Sequence, residues 1–265
     1  MKKWCASALL CAALLLGPSA QAAGSVLVDG APLENNASAQ VRNNTTYVSL
    51  RTVAQALRPT ATVVWENGQA IVRDSTLSLT ARPGSIYIAA NDRAIYLPDG
   101  VLLEDGCTLV PVRALASALG AQVDWDADTG TVYITSGAAA FAAYDSNSLY
   151  WLSRIISAES QGESLLGKIA VGNVVLNRVA SAEFPDSIYG VIFDDRWGGQ
   201  FEPVRNGSIY QEPTEESVLA AKLVLEGASV AGNSLYFLSP SLTSNHWIMN
   251  NRPYVMTIGC HWFYA

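Results

Sequence analysis

Two carboxylates, Glu159 and Glu163, stand four residues apart at the break between two apolar segments. Carboxyl pairs serve as general acid and base when their surroundings push their acidities apart. The first segment carries Leu149, Leu152, Ile155 and Ile156 at helical spacing, with cap candidates at 145–148. It predicts a helix ending near Glu159, with Gly162 as its stop. Glu159 would then feel the negative end of the helix dipole, and partial burial would raise its pKa further. Glu163 is expected in the first turn of the next helix, where the dipole favours the ionised form. Two ordinary surface glutamates would show the same spacing, so the pair alone is a candidate and not an assignment.

The elements that must position the pair follow on both sides. Ile169-Ala170-Val171-Gly172-Asn173-Val174-Val175-Leu176-Asn177-Arg178-Val179 is apolar nearly all round, the pattern of a buried helix. Asn173 and Asn177 lie i, i+4 on one face of it, which makes Asn173 a candidate substrate contact. Phe184-Pro185-Asp186-Ser187 breaks that helix and caps a short one through Phe193. Residues 194–207 read as loop or hairpin. Pro213-Thr214-Glu215-Glu216 opens a helix to about Glu226, and 235–238 and 254–258 read as strands. Trp197, Phe201, Tyr210, Tyr236, Trp247, Tyr254 and Trp262 are concentrated here, divided between core and groove. Trp197, Phe201 and Trp247 sit beside polar or Gly-rich residues, which suits the wall of a binding groove, with Gln200 and Tyr236 as further candidates.

Upstream, residues 1–23 have the form of an export leader: Lys2 and Lys3, an apolar stretch over 6–16, and Ala20-Gln21-Ala22 as cleavage site. The apolar stretch is too short to span a bilayer, and no later stretch reads as a membrane span. The 265 residues allow two domains, and a chain 50% hydrophobic and 15% charged can bury a sizeable core. The net charge of −7 argues against nucleic acid as a partner and against electrostatic adhesion to an anionic wall. Cys5 and Cys11 leave with the leader. Cys107 and Cys260 remain, either as an interdomain disulfide or as buried free thiols.

Residues 24–136 contain an internal repeat. Thr46-Tyr47-Val48-Ser49-Leu50-Arg51 recurs as Thr108-Leu109-Val110-Pro111-Val112-Arg113, and Val64-Trp65-Glu66 as Asp124-Trp125-Asp126. Each copy reads as an extended segment, a short amphipathic helix and a hairpin, giving an α+β module with antiparallel strands. Arg51 and Arg113 either contact the wall or tie each helix to its sheet. Residues 137–143 form a small-residue linker, and residues 144–265 the second domain. The repeat resembles the copper amine oxidase N-terminal-like domain. It contains no histidine, so no imidazole copper site is expected, and no cofactor or metal is expected anywhere in the chain.

Ala158-Glu159-Ser160-Gln161-Gly162-Glu163, the 167–179 segment, Gln200-Phe201-Glu202-Pro203-Val204, Leu235-Tyr236-Phe237 and Trp247-Ile248 together resemble the SleB-type cell-wall hydrolases, the spore cortex-lytic enzymes and their relatives. The resemblance covers roughly the last 120 residues, which it implies to be a lysozyme-like, mainly helical domain with a small antiparallel sheet. Cys260 departs from the pattern, which has a polar residue before the histidine. The implied partner is the glycan strand of peptidoglycan. The implied reaction is cleavage between N-acetylmuramic acid and N-acetylglucosamine by a lytic transglycosylase or muramidase, in a wall or spore envelope outside the cell. Glu159 would be the catalytic acid and Glu163 an ionised partner. The rival classes are a wall peptidase or amidase and a non-catalytic wall-binding protein. A zinc amidase lacks its histidines. A Cys260–His261 pair would point to opposite faces of a strand.

Overall fold

The computed structural model describes residues 21–22, 25–33, 39–137, 144–243 and 246–265. Most of the expected leader and of the expected linker lies outside them. The fold is mixed α+β, with a sheet-rich N-terminal half and a mainly helical C-terminal half.

In the N-terminal half the two repeats pair with each other. Strand Thr45–Ser49 runs antiparallel to Cys107–Pro111, and Val48 lies opposite Val110, its own counterpart in the other copy. Equivalent residues face each other only across a local two-fold axis, so the repeat folds as an internal dimer. Helices α1 (Leu50–Leu57) and α2 (Val112–Leu119) leave the two central strands in equivalent places. Val53, Ala54, Leu115, Ala116 and Leu119 bury their apolar faces in one shared core. Each helix is followed by a hairpin, Thr62–Glu66 with Gln69–Arg73 and Gln122–Asp126 with Thr131–Thr135. Arg51 donates to the carbonyl of Val63 at 2.9 Å, tying α1 to the sheet.

The C-terminal half is built on α3 (Ser146–Ser160), α4 (Leu165–Ala180) and α7 (Glu215–Leu225). Asp145, Ser164 and Thr214 cap them by accepting from backbone amides three residues on. Helix α4 is central, as its apolar run predicts: Ile169, Val171 and Val175 pack with Leu152, Ile155 and Ile156 of α3 and Leu223 and Val224 of α7. Short helices α5 (Ile188–Ile192), α6 (Glu202–Asn206) and α8 (Trp247–Asn251) lie in the connections. The strands Tyr236–Leu238, His261–Tyr264 and Tyr254–Ile258 make a three-stranded antiparallel sheet in that order.

The halves are docked against each other. Ala94 is buried within the C-terminal core, with Ile86, Tyr87 and Tyr96 packed beside it. The Arg93 guanidinium forms a two-pronged pair with Glu226 at 2.6 Å for both contacts and also donates to the Ser117 carbonyl. Tyr144 accepts the amide of Ala94 through its hydroxyl, and burial pushes its pKa up to about 12. Both partners of the Arg93–Glu226 pair are mostly buried, so removing one strands the other's charge. Arg93→Ala is therefore expected to cost roughly 2–3 kcal/mol in thermal unfolding of the full chain. The isolated 144–265 fragment should melt below the full chain, because the cut bares the apolar face under Ala94.

Candidate active site

Glu159 lies in the last turn of α3, on the wall of an open cleft of about 1410 Å³. The other walls come from Arg178 of α4, the 194–208 segment, Tyr236–Leu238, α8 and His261. Burial pushes the Glu159 carboxyl up to about 7. The positive charge of Arg178 opposes this and the negative charge of Glu202 adds to it. Among the described residues no hydrogen bond engages the carboxyl. Below neutral pH it is therefore mostly a protonated acid facing a groove, and near neutrality a sizeable share of it still holds the proton and can donate.

Arg178 is the counter-charge. It is 4% exposed, one of two buried charged residues of α4 with Lys168. Its Nε donates to the Leu235 carbonyl at 2.7 Å, and the rings of Phe184, Phe201 and Tyr236 lie 4.9, 5.2 and 5.4 Å from its guanidinium carbon. Desolvation lowers its pKa to about 10, so it remains a cation. Asp194, itself buried, is held ionised by Arg196, whose Nε and Nη2 donate at 2.9 and 2.8 Å.

The structure brings Glu159, Gln200, Phe201, Tyr236 and Trp247 to one cleft. Phe201 is 3% exposed, whereas Trp247 is 51% exposed. Tyr236 accepts from Arg252 through its hydroxyl at 2.7 Å. The Trp197 side chain lies outside the described residues.

Two candidates are placed elsewhere. Asn173 is buried, and its side chain donates to the Ala228 carbonyl at 2.6 Å and accepts from the Val230 amide at 2.7 Å. Asn177 donates to the carbonyls of Gly232 and Ser234. The amide face of α4 thus pins the 228–234 loop, whose backbone groups need partners.

Glu163 is not in the first turn of α4. It precedes the Ser164 cap, and its carboxylate accepts the Cys260 amide at 3.2 and 3.3 Å. Gly259 turns the hairpin at φ +58°, and a Cβ there would sit 1.8 Å from Glu163 Oε2. A Cβ on Gly167 would meet the same side chain at 2.9 Å. Only glycine permits this close approach. Lys168, 2% exposed, completes the clasp by donating to the carbonyls of Gln161 and Glu163 and to Glu216. All three of its donors are used.

Glu163 therefore anchors the turn that delivers His261 to the cleft. His261 Nδ1 lies 4.0 Å from Glu163 Oε1, and burial lowers the imidazole pKa against the pull of Glu163. Sequence reasoning missed Arg178, Asp194, Arg252 and His261. For Arg178 a signal existed: a guanidinium inside an apolar helix needs a partner. Cys107 and Cys260 are free and exposed, neither buried nor bridged. Among the described residues no group of three or more His, Cys, Asp or Glu is placed to hold a metal.

The model of the cell wall hydrolase family matches residues 162–264, beginning just after Glu159. The C-terminal half is a cell wall hydrolase domain. The copper amine oxidase N-terminal domain matches residues 27–134. The spore cortex-lytic enzyme of Bacillus cereus is 38% identical over 120 residues, which is 45% of each chain. That of Oceanobacillus iheyensis is 36% identical over 120 residues, 45% of this chain and 42% of the relative. The chain thus spans under half the length of these curated relatives. A solved structure, the catalytic domain of the germination-specific lytic transglycosylase SleB from Bacillus anthracis, is 36% identical with a TM-score of 0.43. It covers 48% of this chain and 100% of that one.

The raised pKa of Glu159 has a consequence for stability. The folded state holds the proton more tightly than the unfolded chain, whose carboxyl titrates near 4.5. The penalty for ionising it in the fold grows from about pH 4.5 and is complete above about 7. Glu159→Gln removes the penalty. It should raise stability at pH 8 by roughly 1–3 kcal/mol and change it little at pH 4, as followed by thermal unfolding across pH.

Proposed function

We propose that the chain is an exported enzyme that cleaves peptidoglycan glycan strands between N-acetylmuramic acid and N-acetylglucosamine, as a lytic transglycosylase, in a wall or spore envelope. The observation that carries the reading is Glu159: one carboxyl without a hydrogen-bond partner among the described residues, its pKa raised by burial to about 7, at the wall of an open cleft of about 1410 Å³. Its family and the names of its relatives support a wall substrate.

The step needs one acid–base group. Glu159 gives its proton to the glycosidic oxygen as the bond from muramic acid C1 to that oxygen breaks. The carboxylate so formed takes the proton of the same sugar's 6-hydroxyl as that oxygen bonds to C1. A 1,6-anhydro end and a free hydroxyl result, and Glu159 is protonated again. Arg178 stabilises the carboxylate between the two transfers, and its charge keeps the acid strong enough to donate. Gln200, Phe201, Tyr236 and Trp247 hold the sugars. Glu163 does not line the cleft, so it supports the site as a positioning residue rather than as a nucleophile.

A hydrolytic reading has one observation in its favour. Glu202 lines the cleft and raises the Glu159 pKa, so a second carboxylate is within electrostatic range. It is, however, exposed and paired with Arg205. Mass spectrometry of digested peptidoglycan separates the two. Anhydromuramic ends are expected, and reducing ends alone would favour hydrolysis through Glu202. Glu159→Gln should lower the rate by about 10²–10⁴ while the glycan still binds. Cys260→Ser should keep most activity, since a peptidase built on that thiol would lose all of it.

A further inference from the structure

Trp65 and Trp125 hold equivalent places in the two N-terminal repeats. Each lies on the strand that follows its repeat's helix, and each of those strands is the outer strand of its sheet. Their cross-strand neighbours are Ala70 and Val132, both smaller and both buried, so each indole lies at the rim of the core-side face of its sheet with about half of its surface open. Trp65 is 49% exposed and Trp125 57%. Isolated exposed apolar residues are ordinary, but these two are not isolated facts. The copies have diverged around them, with Tyr47 against Leu109, Ser49 against Pro111 and Val64 against Asp124. Core positions such as Val48 and Val110 match because both are buried. The tryptophans match although about half of each is exposed, more open surface than a purely packing role requires.

We infer that Trp65 and Trp125 are two equivalent stacking platforms for the pyranose rings of a glycan strand. An indole face suits the C–H face of a sugar ring. The net charge of −7 repels polyphosphates and nucleic acid. The local two-fold at Val48 and Val110 presents the pair as two copies of one site. Two weak sites joined rigidly to a cleft on the docked domain raise the effective concentration of one polymer at all three. Only the choice of polymer rests on the function proposed above.

The test uses the full chain carrying Glu159→Gln, so that the wall is not digested during binding. Trp65→Ala and Trp125→Ala are compared singly and together for sedimentation with purified sacculi. Both positions are exposed, so the melting temperature should be unchanged. Each single change should weaken binding about fivefold and the pair more than about twentyfold, while the Phe replacements keep most of it. Tryptophan fluorescence should respond to soluble glycan strands stripped of peptide in the Glu159→Gln chain and lose much of that response in the double variant. Restoring Glu159 to the double variant should leave turnover of short soluble glycans intact.

A double variant that sediments like its parent would overturn the inference without touching the reading of the cleft. So would binding to intact sacculi with none to stripped glycan, which would make the peptide stem the ligand. If the tryptophan variants lose binding as expected but the Glu159 chain releases no fragments, the platforms stand and the catalytic reading falls.

Discussion

The ionised form of Glu159 is poorly solvated where it stands, and the rest of the site answers to that fact. Burial alone would drive the carboxyl further from neutrality; Arg178 limits the shift, so that the group titrates near 7. A buried guanidinium is costly unless its charge is shared and its donors are used. The Leu235 carbonyl takes Nε, and Asp194 and three aromatic rings share the charge, while Nη1 is left without a partner among the described residues. Central burial of α4 is thus what positions Arg178, and Arg178 is what tunes the acid.

The second carboxylate of the motif does a different job. Glu163 sits on the far side of the α3–α4 turn and takes the amide of a residue 97 positions later. Gly167 and Gly259 clear the space, and Lys168 ties the same turn to Glu216 at the start of α7. One short stretch therefore carries both the proposed acid and the fastening that brings His261 and the sheet against it. The spacing of the two glutamates reflects a corner in the chain, not a shared catalytic pair.

Much of this was legible in the sequence because the signals are local. The α3 periodicity, the buried run of α4, the leading Thr214 cap of α7 and the repeat with its hairpins appear where the residue patterns put them. Glu159 was legible for the same reason, as the end of a helix is a local feature. The Glu163 placement was misjudged because Ser164 is the better cap and ends the preceding turn one residue later than the acid. Asn173 was misassigned because helical spacing tells which residues share a face but not what lies opposite. The docking of the halves through Arg93 and Glu226, 133 residues apart, had no local signature at all. The same holds for the cleft walls, which are assembled from six separate segments.

The account stands on the protonation of one carboxyl. Carbon NMR of the glutamate δ-carboxyls, compared between the native chain and Glu159→Gln to assign the resonance, reports that titration directly. A midpoint near 7 for Glu159 is the result predicted. A midpoint near the ordinary 4.5 would mean that the group is ionised and solvated at neutral pH, and would contradict its role as the proton donor.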